Sequence, residues 1–185
     1  MNELVIGFTC SAFDLFHAGH ITMLKEAKDN CDYLIVGLQT DPTIDRPTKN
    51  RPVQTVYERW VQLAACSYVD RIIPYATEKE LLDILQSQDI DVRFVGEEYR
   101  DKDFTGRELP GIKIHYNKRR HSFSSTELRN RVFMSQLKKE TTVAERGLMP
   151  SKREPNDPRW IGPYTGVAPI DFLSKEQYNP NASEK

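Results

Sequence analysis

The sequence lacks several features by which major classes of protein are recognised. No apolar run approaches the ~20 residues that a membrane-spanning helix needs, and the first three residues lack the basic start of a signal peptide. The formal net charge of −1 gives no general attraction for nucleic acid or for an anionic membrane. No Gly-x-Gly-x-x-Gly follows the first apolar run, which disfavours a redox dinucleotide-binding protein. We therefore expect neither a membrane span nor a nucleic-acid partner.

Cysteine is also scarce. The three cysteines, Cys10, Cys31 and Cys66, are odd in number and do not have the spacing of metal ligands. Reduced thiols in a cytoplasmic protein are the simplest interpretation. The 185 residues, of which 38% are hydrophobic and 29% charged, suffice for one globular domain with a real core.

Apolar runs alternate with amphipathic segments along the first three quarters of the chain. Strands are predicted at residues 3–9, 31–38, 69–74, 91–96 and 112–116, with a loop at residues 10–16. Helices are predicted at residues 18–29 and 55–66, from residue 77, and at residues 124–139, the last three each opening on a capping box. This order predicts an α/β protein with a parallel sheet of about five strands and helices on both faces. Ligands of such sheets bind beyond the carboxyl ends of the strands.

The composition changes near residue 140. Residues 141–185 hold six of the eleven prolines, and apolar periodicity disappears there. We therefore divide the chain into a main α/β domain, residues 1–139, and a proline-rich extension, residues 140–185. The extension is expected to be disordered or to wrap around the core or a partner subunit.

Two histidines, His17 and His20, flank Gly19 where the first loop enters the first helix. A helix N-terminus attracts anions through its free amide groups and its dipole, and two imidazoles add further donors. Such donors could stabilise the charge that develops during attack on a polyphosphate. The alternative for either histidine alone is an ordinary polar residue at a helix start.

A second anion site is predicted at Arg119-Arg-His-Ser-Phe-Ser-Ser-Thr126, where basic residues precede hydroxyls at another helix start. Its alternative is a capped helix with solvated arginines. Lys49 and Arg51 add positive charge on a long loop, residues 40–54. Glu97 and Glu98 end the fourth strand at the same rim, where they could hold a base, a metal or a substrate hydroxyl.

The segment Phe13-Asp-Leu-Phe-His17-Ala-Gly-His20 resembles the signature of the HxGH nucleotidyltransferase superfamily. The segment at residues 119–126 resembles its second signature, a basic stretch that ends in hydroxyls. Tyr68-Val-Asp-Arg-Ile-Ile-Pro74 resembles a segment of the cytidylyltransferases, among which the glycerol-3-phosphate cytidylyltransferases are the most similar. The resemblance covers about residues 4–132.

The resemblance implies a Rossmann-like fold and transfer of CMP from CTP, with Mg²⁺, to a small phosphorylated alcohol, glycerol 3-phosphate being favoured. It implies catalytic roles for His17, His20, Lys49 and Arg119. Asp14 is a candidate metal ligand, although Mg²⁺ is expected to arrive with the triphosphate. A homodimer that uses residues 68–73 is also implied. The nucleotide-binding positions that the resemblance implies are Ser11, Ala12, Phe13, Ala18, Gly19, Glu98, Ser124, Ser125 and Thr126.

The sequence departs from the family pattern at Ser11, Ala12 and Ser67, where the family has Gly, Thr and Arg. Three alternatives therefore stay open. One is an adenylyltransferase of the same superfamily, since the histidine motif does not read the base. Another is a cytidylyltransferase for phosphoethanolamine or a sugar phosphate. The third is a nucleotide-binding protein without catalysis.

Overall fold

The computed structural model describes residues 4–145, with side chains as far as Lys139. Five strands and four α-helices alternate in the predicted order. The strands are β1 (Ile6–Ser11), β2 (Tyr33–Gln39), β3 (Arg71–Tyr75), β4 (Val92–Gly96) and β5 (Lys113–Asn117). The helices are α1 (Ala18–Lys28), α2 (Val56–Ala64), α3 (Glu78–Ser87) and α4 (Ser125–Glu145), with one 3₁₀ turn at Glu97–Tyr99.

All strand pairs are parallel, in the spatial order β3-β2-β1-β4-β5. The chain builds outward from β1 to β3 and then returns to place β4 on the other side of β1. The switch point of the sheet therefore lies between β1 and β4, which is where ligands of doubly wound sheets bind.

Helices cover both faces, as predicted. In β2, Leu34, Val36 and Leu38 pack with α1 and α2, whereas Ile35 packs on the opposite face with residues of α3. Every residue from Leu34 to Gln39 is buried. This accounts for the nearly continuous apolar run of β2, because a strand covered on two faces has no solvent side.

The predicted strands start one to three residues too early, and the predicted loop at residues 10–16 wrongly includes Cys10 and Ser11, which extend β1. At the entrances of β1 and β2, aspartates that precede other strands supply hydrogen-bond partners. The carboxylates of Asp32, Asp70 and Asp91 accept hydrogen bonds from the amide groups of Val5, Leu34 and Ile6, at 2.8, 2.6 and 2.8 Å. These carboxylates take the place of the backbone carbonyls that would pair with the amides inside a sheet. The pattern of apolar residues carries no information on such contacts.

The capping predictions are confirmed in full only at α2. There the Thr55 hydroxyl accepts from the Glu58 amide, and the Glu58 carboxylate accepts from the Thr55 amide at 2.7 Å. At α3 the carboxylate of Glu80 instead accepts from the Ala76 amide, so only the half of the box made by Thr77 forms.

Helix α4 continues to Glu145, six residues beyond its predicted end. The chain divides into two compact units after Ser135, and the second is described only as far as the end of α4. The predicted extension beyond residue 145 lies outside the described residues, so the domain boundary stays a prediction. Within the described part, no helix is long and apolar enough to cross a bilayer.

Candidate active site

His17 caps α1 with its own side chain. The backbone of His17 is extended, and its Nδ1 accepts a hydrogen bond from the Gly19 amide at 3.0 Å. His20 completes a reciprocal cap, because its Nδ1 lies 3.4 Å from the amide nitrogen of His17. No Ser, Thr, Asp or Asn stands at this helix start, so the two imidazoles do the work usually done by those residues.

The two caps decide which ring nitrogen carries the proton. Because Nδ1 of each histidine accepts a hydrogen bond, each neutral imidazole carries its proton on Nε2. Ser125 leads to the same assignment for His17. Its hydroxyl donates to the Asp14 carbonyl at 2.9 Å, so its oxygen accepts from His17 Nε2 at 3.4 Å.

Both imidazoles are neutral at pH 7. The ring of His20 stacks between those of Phe16 and His17, at centroid distances of 5.6 and 4.0 Å, and it also contacts Phe13. Burial, with a smaller contribution from the neighbouring His17, lowers the pKa of His20 to about 3. Burial also lowers the pKa of His17, with additional contributions from His121 and Arg119. The site therefore offers neutral N–H donors, which do not require protonation before they bind a phosphate oxygen.

The sequence argument that free amide groups of α1 would bind the anion is wrong in part. The Gly19 amide is used by His17 Nδ1, and the His20 amide donates to the His17 carbonyl at 2.9 Å. The imidazoles thus occupy the first turn and present their Nε2 donors in place of backbone amides. Gly19 is needed for this packing, because a Cβ there would lie 2.9 Å from carbons of His17 and His121.

Helix α4 starts differently. Ser124 caps it, accepting from the Glu127 amide at 3.1 Å, while Glu127 pairs with Arg131 rather than closing a capping box. The amide groups of Ser125 and Thr126 have no hydrogen-bond acceptor among the residues that the structure describes. They remain available to an anion, as the second predicted site requires.

Asp14 organises the loop between β1 and α1. Its Oδ1 accepts from the amides of Val53 and Gln54, both at 2.9 Å, and its Oδ2 forms an ion pair with Arg129 of α4. The side chain is nearly buried, and protein donors occupy both of its oxygens. This arrangement speaks against Asp14 as a metal ligand. Among the side chains that the structure describes, residues 4–139, no group of three or more His, Cys, Asp or Glu could hold a metal ion.

The Asp14 loop holds two residues, Phe13 and Leu15, in the left-handed region with φ of 50°. This conformation is uncommon for side chains of that size and is typical of functional loops whose surroundings hold them in place. Phe13 is fully buried, and the Leu15 amide donates to the Gln54 side chain at 2.7 Å.

A cavity of about 490 Å³ opens at the carboxyl ends of the strands. Of the residues predicted for the site, those that line it are Ser11, Ala12, Phe13, Asp14, His20, Lys49, Glu98, Ser125 and Thr126. The predicted residues His17, Ala18, Gly19, Arg119 and Ser124 lie outside its wall. His17 reaches the wall through Ser125, and the exposed Arg119 donates to the Phe123 carbonyl at 3.2 Å.

The rim beside β4 is formed by the 3₁₀ turn. The carboxylate of Glu98 folds over Gly96, where a Cβ would collide with it. The ring of Tyr99 packs edge-on against Phe104 at a centroid distance of 6.3 Å. An acidic side chain therefore stands at the β4 rim of the cavity, as the sequence predicted.

Lys49 and Arg51, the two loop residues that the sequence singles out, have separate roles. Lys49 is exposed and lines the cavity. Arg51 forms an ion pair with Asp41 at 3.4 Å, and its carbonyl accepts from Arg129 at 3.3 Å. Of these two residues, Lys49 is thus the one that is placed to meet a ligand.

Sequence reasoning missed Arg59, the largest fully buried side chain. Its guanidinium donates to the carbonyls of Ala12, Gln39 and Thr40 at 2.6–2.7 Å, which joins the ends of β1 and β2 beneath the cavity. An arginine on the buried face of an otherwise amphipathic helix was the available signal. Arg129 was also missed, and here no signal was available, since nothing in the sequence links it to Asp14.

Residues 8–131 match the model of the cytidylyltransferase-like family. The chain belongs to this family. The matched residues include every element from β1 to the start of α4, and they hold both histidines and the hydroxyls at the α4 start.

This cytidylyltransferase-like chain is similar to several curated proteins. It is 36% identical over 109 residues to the bifunctional protein HldE of Granulibacter bethesdensis, covering 57% of this chain and 22% of that protein. It is 46% identical over 72 residues to a probable ethanolamine-phosphate cytidylyltransferase of Encephalitozoon cuniculi, covering 38% and 22% of the two chains. In each case the chain matches only about a fifth of the relative's length.

Among solved structures, a lipopolysaccharide core biosynthesis protein from Thermoplasma volcanium matches with a TM-score of 0.54 at 24% identity. The match covers 64% of this chain and all of that one. At this identity the likeness concerns the fold alone.

Proposed function

We propose that this chain transfers a nucleotide, CMP from CTP, to the phosphate of a small phosphorylated alcohol. An acceptor phosphate oxygen attacks the α-phosphorus, the bond from the α-phosphorus to the bridging oxygen breaks, and pyrophosphate leaves with the bonding electrons. The names of the ethanolamine-phosphate cytidylyltransferase relatives support CTP and this acceptor class. Glycerol 3-phosphate, which the sequence signatures favour, is the first acceptor to test.

The observation that carries the proposal is the pair of imidazoles at the start of α1. The Nδ1 atom of each ring accepts a hydrogen bond from a backbone amide, which holds the ring in place. Nε2 is therefore the ring nitrogen that carries the proton and acts as the donor. Negative charge grows on the bridging oxygen as pyrophosphate leaves. Fixed N–H donors near that oxygen stabilise the transition state more than the ground state.

The remaining residues bind and orient. The amides of Ser125 and Thr126 and the ammonium group of Lys49 supply further positive potential for the triphosphate. Mg²⁺ would neutralise part of the triphosphate charge. We assign it no protein ligand, because the Asp14 carboxylate already accepts from two amides and Arg129. Positioning and electrostatics then supply most of the rate.

A pyrophosphate-release assay tests the proposal. The protein is incubated with each of the four nucleoside triphosphates, Mg²⁺, and glycerol 3-phosphate, phosphoethanolamine or a sugar phosphate. We expect release with CTP and one acceptor class. Release only with ATP would move the assignment to the adenylyltransferases. Nucleotide binding without release from any pair would favour the non-catalytic alternative.

A homodimer through residues 68–73 is a second part of the proposal. These residues lead into β3, the edge strand of the sheet, and an edge strand presents unpaired backbone groups. Exposed Tyr57 and Val61 of α2 add apolar surface. Sedimentation velocity should give a dimer, and a Val61→Asp variant should dissociate it. A monomer at all concentrations would contradict this part alone.

A further inference from the structure

The cavity has a second polar wall that the nucleotide site does not use. It is formed by five residues from the end of β2, the loop that follows it, the end of β3, the start of α3, and β4. We call them the β2–β3 cluster: Gln39, Arg46, Tyr75, Glu78 and Arg93. Gln39, Tyr75 and Arg93 are 2, 4 and 4% exposed. Polar side chains buried to this degree are costly unless something satisfies them.

Within this cluster a hydrogen-bond donor is left unsatisfied. Arg46 Nη2 donates to the Gln39 side-chain oxygen at 2.9 Å. Since an arginine can only donate, this contact fixes Gln39 Oε1 as the acceptor, and the Gln39 amide nitrogen is the other terminal atom. That nitrogen is buried and has no partner among the described residues, and the same is true of Arg46 Nε.

The only carboxylate of the cluster is fully engaged. Glu78 Oε1 lies 3.3 Å from Arg46 Nη2, and Glu78 Oε2 accepts from the Thr105 hydroxyl at 2.5 Å. Arg93 donates to the Thr105 carbonyl and lies over the ring of Phe104 at 5.0 Å. The cluster therefore has two guanidinium groups against one carboxylate. Arg93 covers the ring of Phe104, and the ring of Tyr75 is buried in the core.

This balance selects a ligand chemistry. An ammonium group needs a free carboxylate or an open aromatic face, and the β2–β3 cluster offers neither. Hydroxyl oxygens can accept from the unsatisfied Gln39 amide and Arg46 Nε, beside the Tyr75 hydroxyl, which also interacts with Cys10. Burial raises the pKa of Tyr75, so this hydroxyl stays protonated. Glu98 also lines the cavity, but it lies outside this cluster, in the turn that follows β4, with its carboxylate over Gly96.

We propose that the β2–β3 cluster is the acceptor subsite and selects a phosphorylated alcohol with several free hydroxyls, a polyol or sugar phosphate, over an amino-alcohol phosphate. This inference rests on the proposed nucleotidyl transfer and names its acceptor class. The position agrees with the reaction, because the cluster and His20 line the same cavity.

The test compares acceptors in the wild type and in a Gln39→Glu variant. Glutamate keeps an oxygen for Arg46, so folding is preserved, but it replaces the unsatisfied donor by an acceptor. The probes are glycerol 3-phosphate, ribitol 5-phosphate, glucose 1-phosphate, phosphoethanolamine and phosphocholine. The matched control is Gln88→Glu, because Gln88 also accepts from an arginine, Arg71 at 3.0 Å, but lines a separate cavity.

In the wild type, kcat/KM should favour one hydroxylated probe over both amino-alcohol phosphates by about tenfold or more. Gln39→Glu should raise KM for that probe about tenfold, shrink the preference, and leave KM for the nucleotide within about threefold of wild type. Gln88→Glu should change neither ratio. A wild type that prefers phosphoethanolamine, or a Gln39→Glu variant with an unchanged preference, would overturn the assignment.

Titration calorimetry with the same probes separates this inference from the proposed function. Binding of a hydroxylated probe that Gln39→Glu weakens, without pyrophosphate release from any pair, would support the subsite and sink the transfer reaction. Release with amino-alcohol phosphates alone would keep the reaction and sink the subsite. Neither release nor binding would overturn both.

Discussion

Helices α1 and α4 both begin at the cavity, but their first turns are built in different ways. At α1 the imidazoles of His17 and His20 close the turn and replace the backbone amides as donors. At α4 the hydroxyl of Ser124 caps the turn, and the amides of Ser125 and Thr126 stay open. In the reaction that we propose, the side-chain donors of α1 act near the breaking bond and the backbone donors of α4 act along the nucleotide.

The largest expected effect comes from a variant that keeps the capping function of His17 at α1 but removes its Nε2 donor. In a His17→Asn variant the side-chain oxygen can still accept from the Gly19 amide, because asparagine is a favoured N-cap residue. The donor at the Nε2 position is lost. We expect kcat to fall about 10²–10³-fold, the usual cost of removing one transition-state donor, with a free energy of unfolding close to that of the wild type.

His17→Ala is the control for that variant. It should lose the same activity and, in addition, about 1 kcal/mol of stability, because the cap is gone. Pyrophosphate release and urea unfolding measure the two effects. Wild-type activity in His17→Asn would show that the imidazole serves only as a cap.

The second effect concerns the ion pair that joins the two helix starts. Arg129 of α4 pairs with Asp14, whose side chain is 7% exposed, in the loop before α1. Arg129→Met should lower the free energy of unfolding by about 2 kcal/mol and kcat about tenfold, because a partly buried pair is broken and Ser125 loses its fixed position.

Arg131→Met provides the matched comparison. Arg131 pairs one turn away with Glu127, but both side chains are more than half exposed. Its loss should cost less than about 0.5 kcal/mol. Equal effects of the two variants in urea unfolding would show that the Asp14 pair does not couple α4 to the loop.

The difference between the helix starts also explains what could be predicted from the sequence. Alternating apolar runs determine the order of elements, and both helix starts at residues 18 and 125 follow from local patterns. The donors of α1 do not, because they depend on ring stacking among Phe16, His17 and His20. Free amides are a reasonable expectation for any helix start. Only the side-chain geometry reveals that, at α1, the imidazoles accept hydrogen bonds from these amides.

Contacts between distant parts of the chain were beyond prediction for the same reason. Arg59 meets three carbonyls across 19 to 47 residues of sequence, and Arg129 meets Asp14 across 115. The β2–β3 cluster likewise brings Gln39, Glu78 and Arg93 to one wall. Local patterning carries no information on which buried polar groups will satisfy one another.

The third effect is a pH dependence of the free energy of unfolding that arises from His20 at the start of α1 and has no counterpart at the start of α4. Burial lowers the pKa of His20 to about 3 in the folded chain, against about 6.5 when unfolded. Below pH 6.5 the His20 imidazole is protonated in the unfolded state but stays neutral in the folded state. The contribution of His20 to the free energy of unfolding is therefore complete above pH 6.5 and is lost as the pH falls toward 3. The free energy of unfolding then changes with a slope that approaches about 1.4 kcal/mol per pH unit.

Urea unfolding between pH 7 and pH 5 measures this slope. His20→Asn is the reference, since asparagine does not titrate and can still accept from the His17 amide. Carboxylates contribute equally to both proteins, so the difference between the two curves isolates the imidazole. Parallel curves would mean that His20 is protonated in the folded chain, and the neutral-donor mechanism would fail.

The smallest effect distinguishes two neighbouring hydroxyls of α4. Ser124 caps the helix, whereas Ser125 lines the cavity and contacts His17. Ser124→Ala should cost about 1 kcal/mol of stability through the lost cap, with little change in KM for the nucleotide. Ser125→Ala should show the reverse, a raised KM with nearly unchanged stability. A nucleotide KM that rises more in Ser124→Ala than in Ser125→Ala would return Ser124 to the nucleotide-binding role that the family signature implies, and would show that the open amides of α4 are not enough to hold the phosphates.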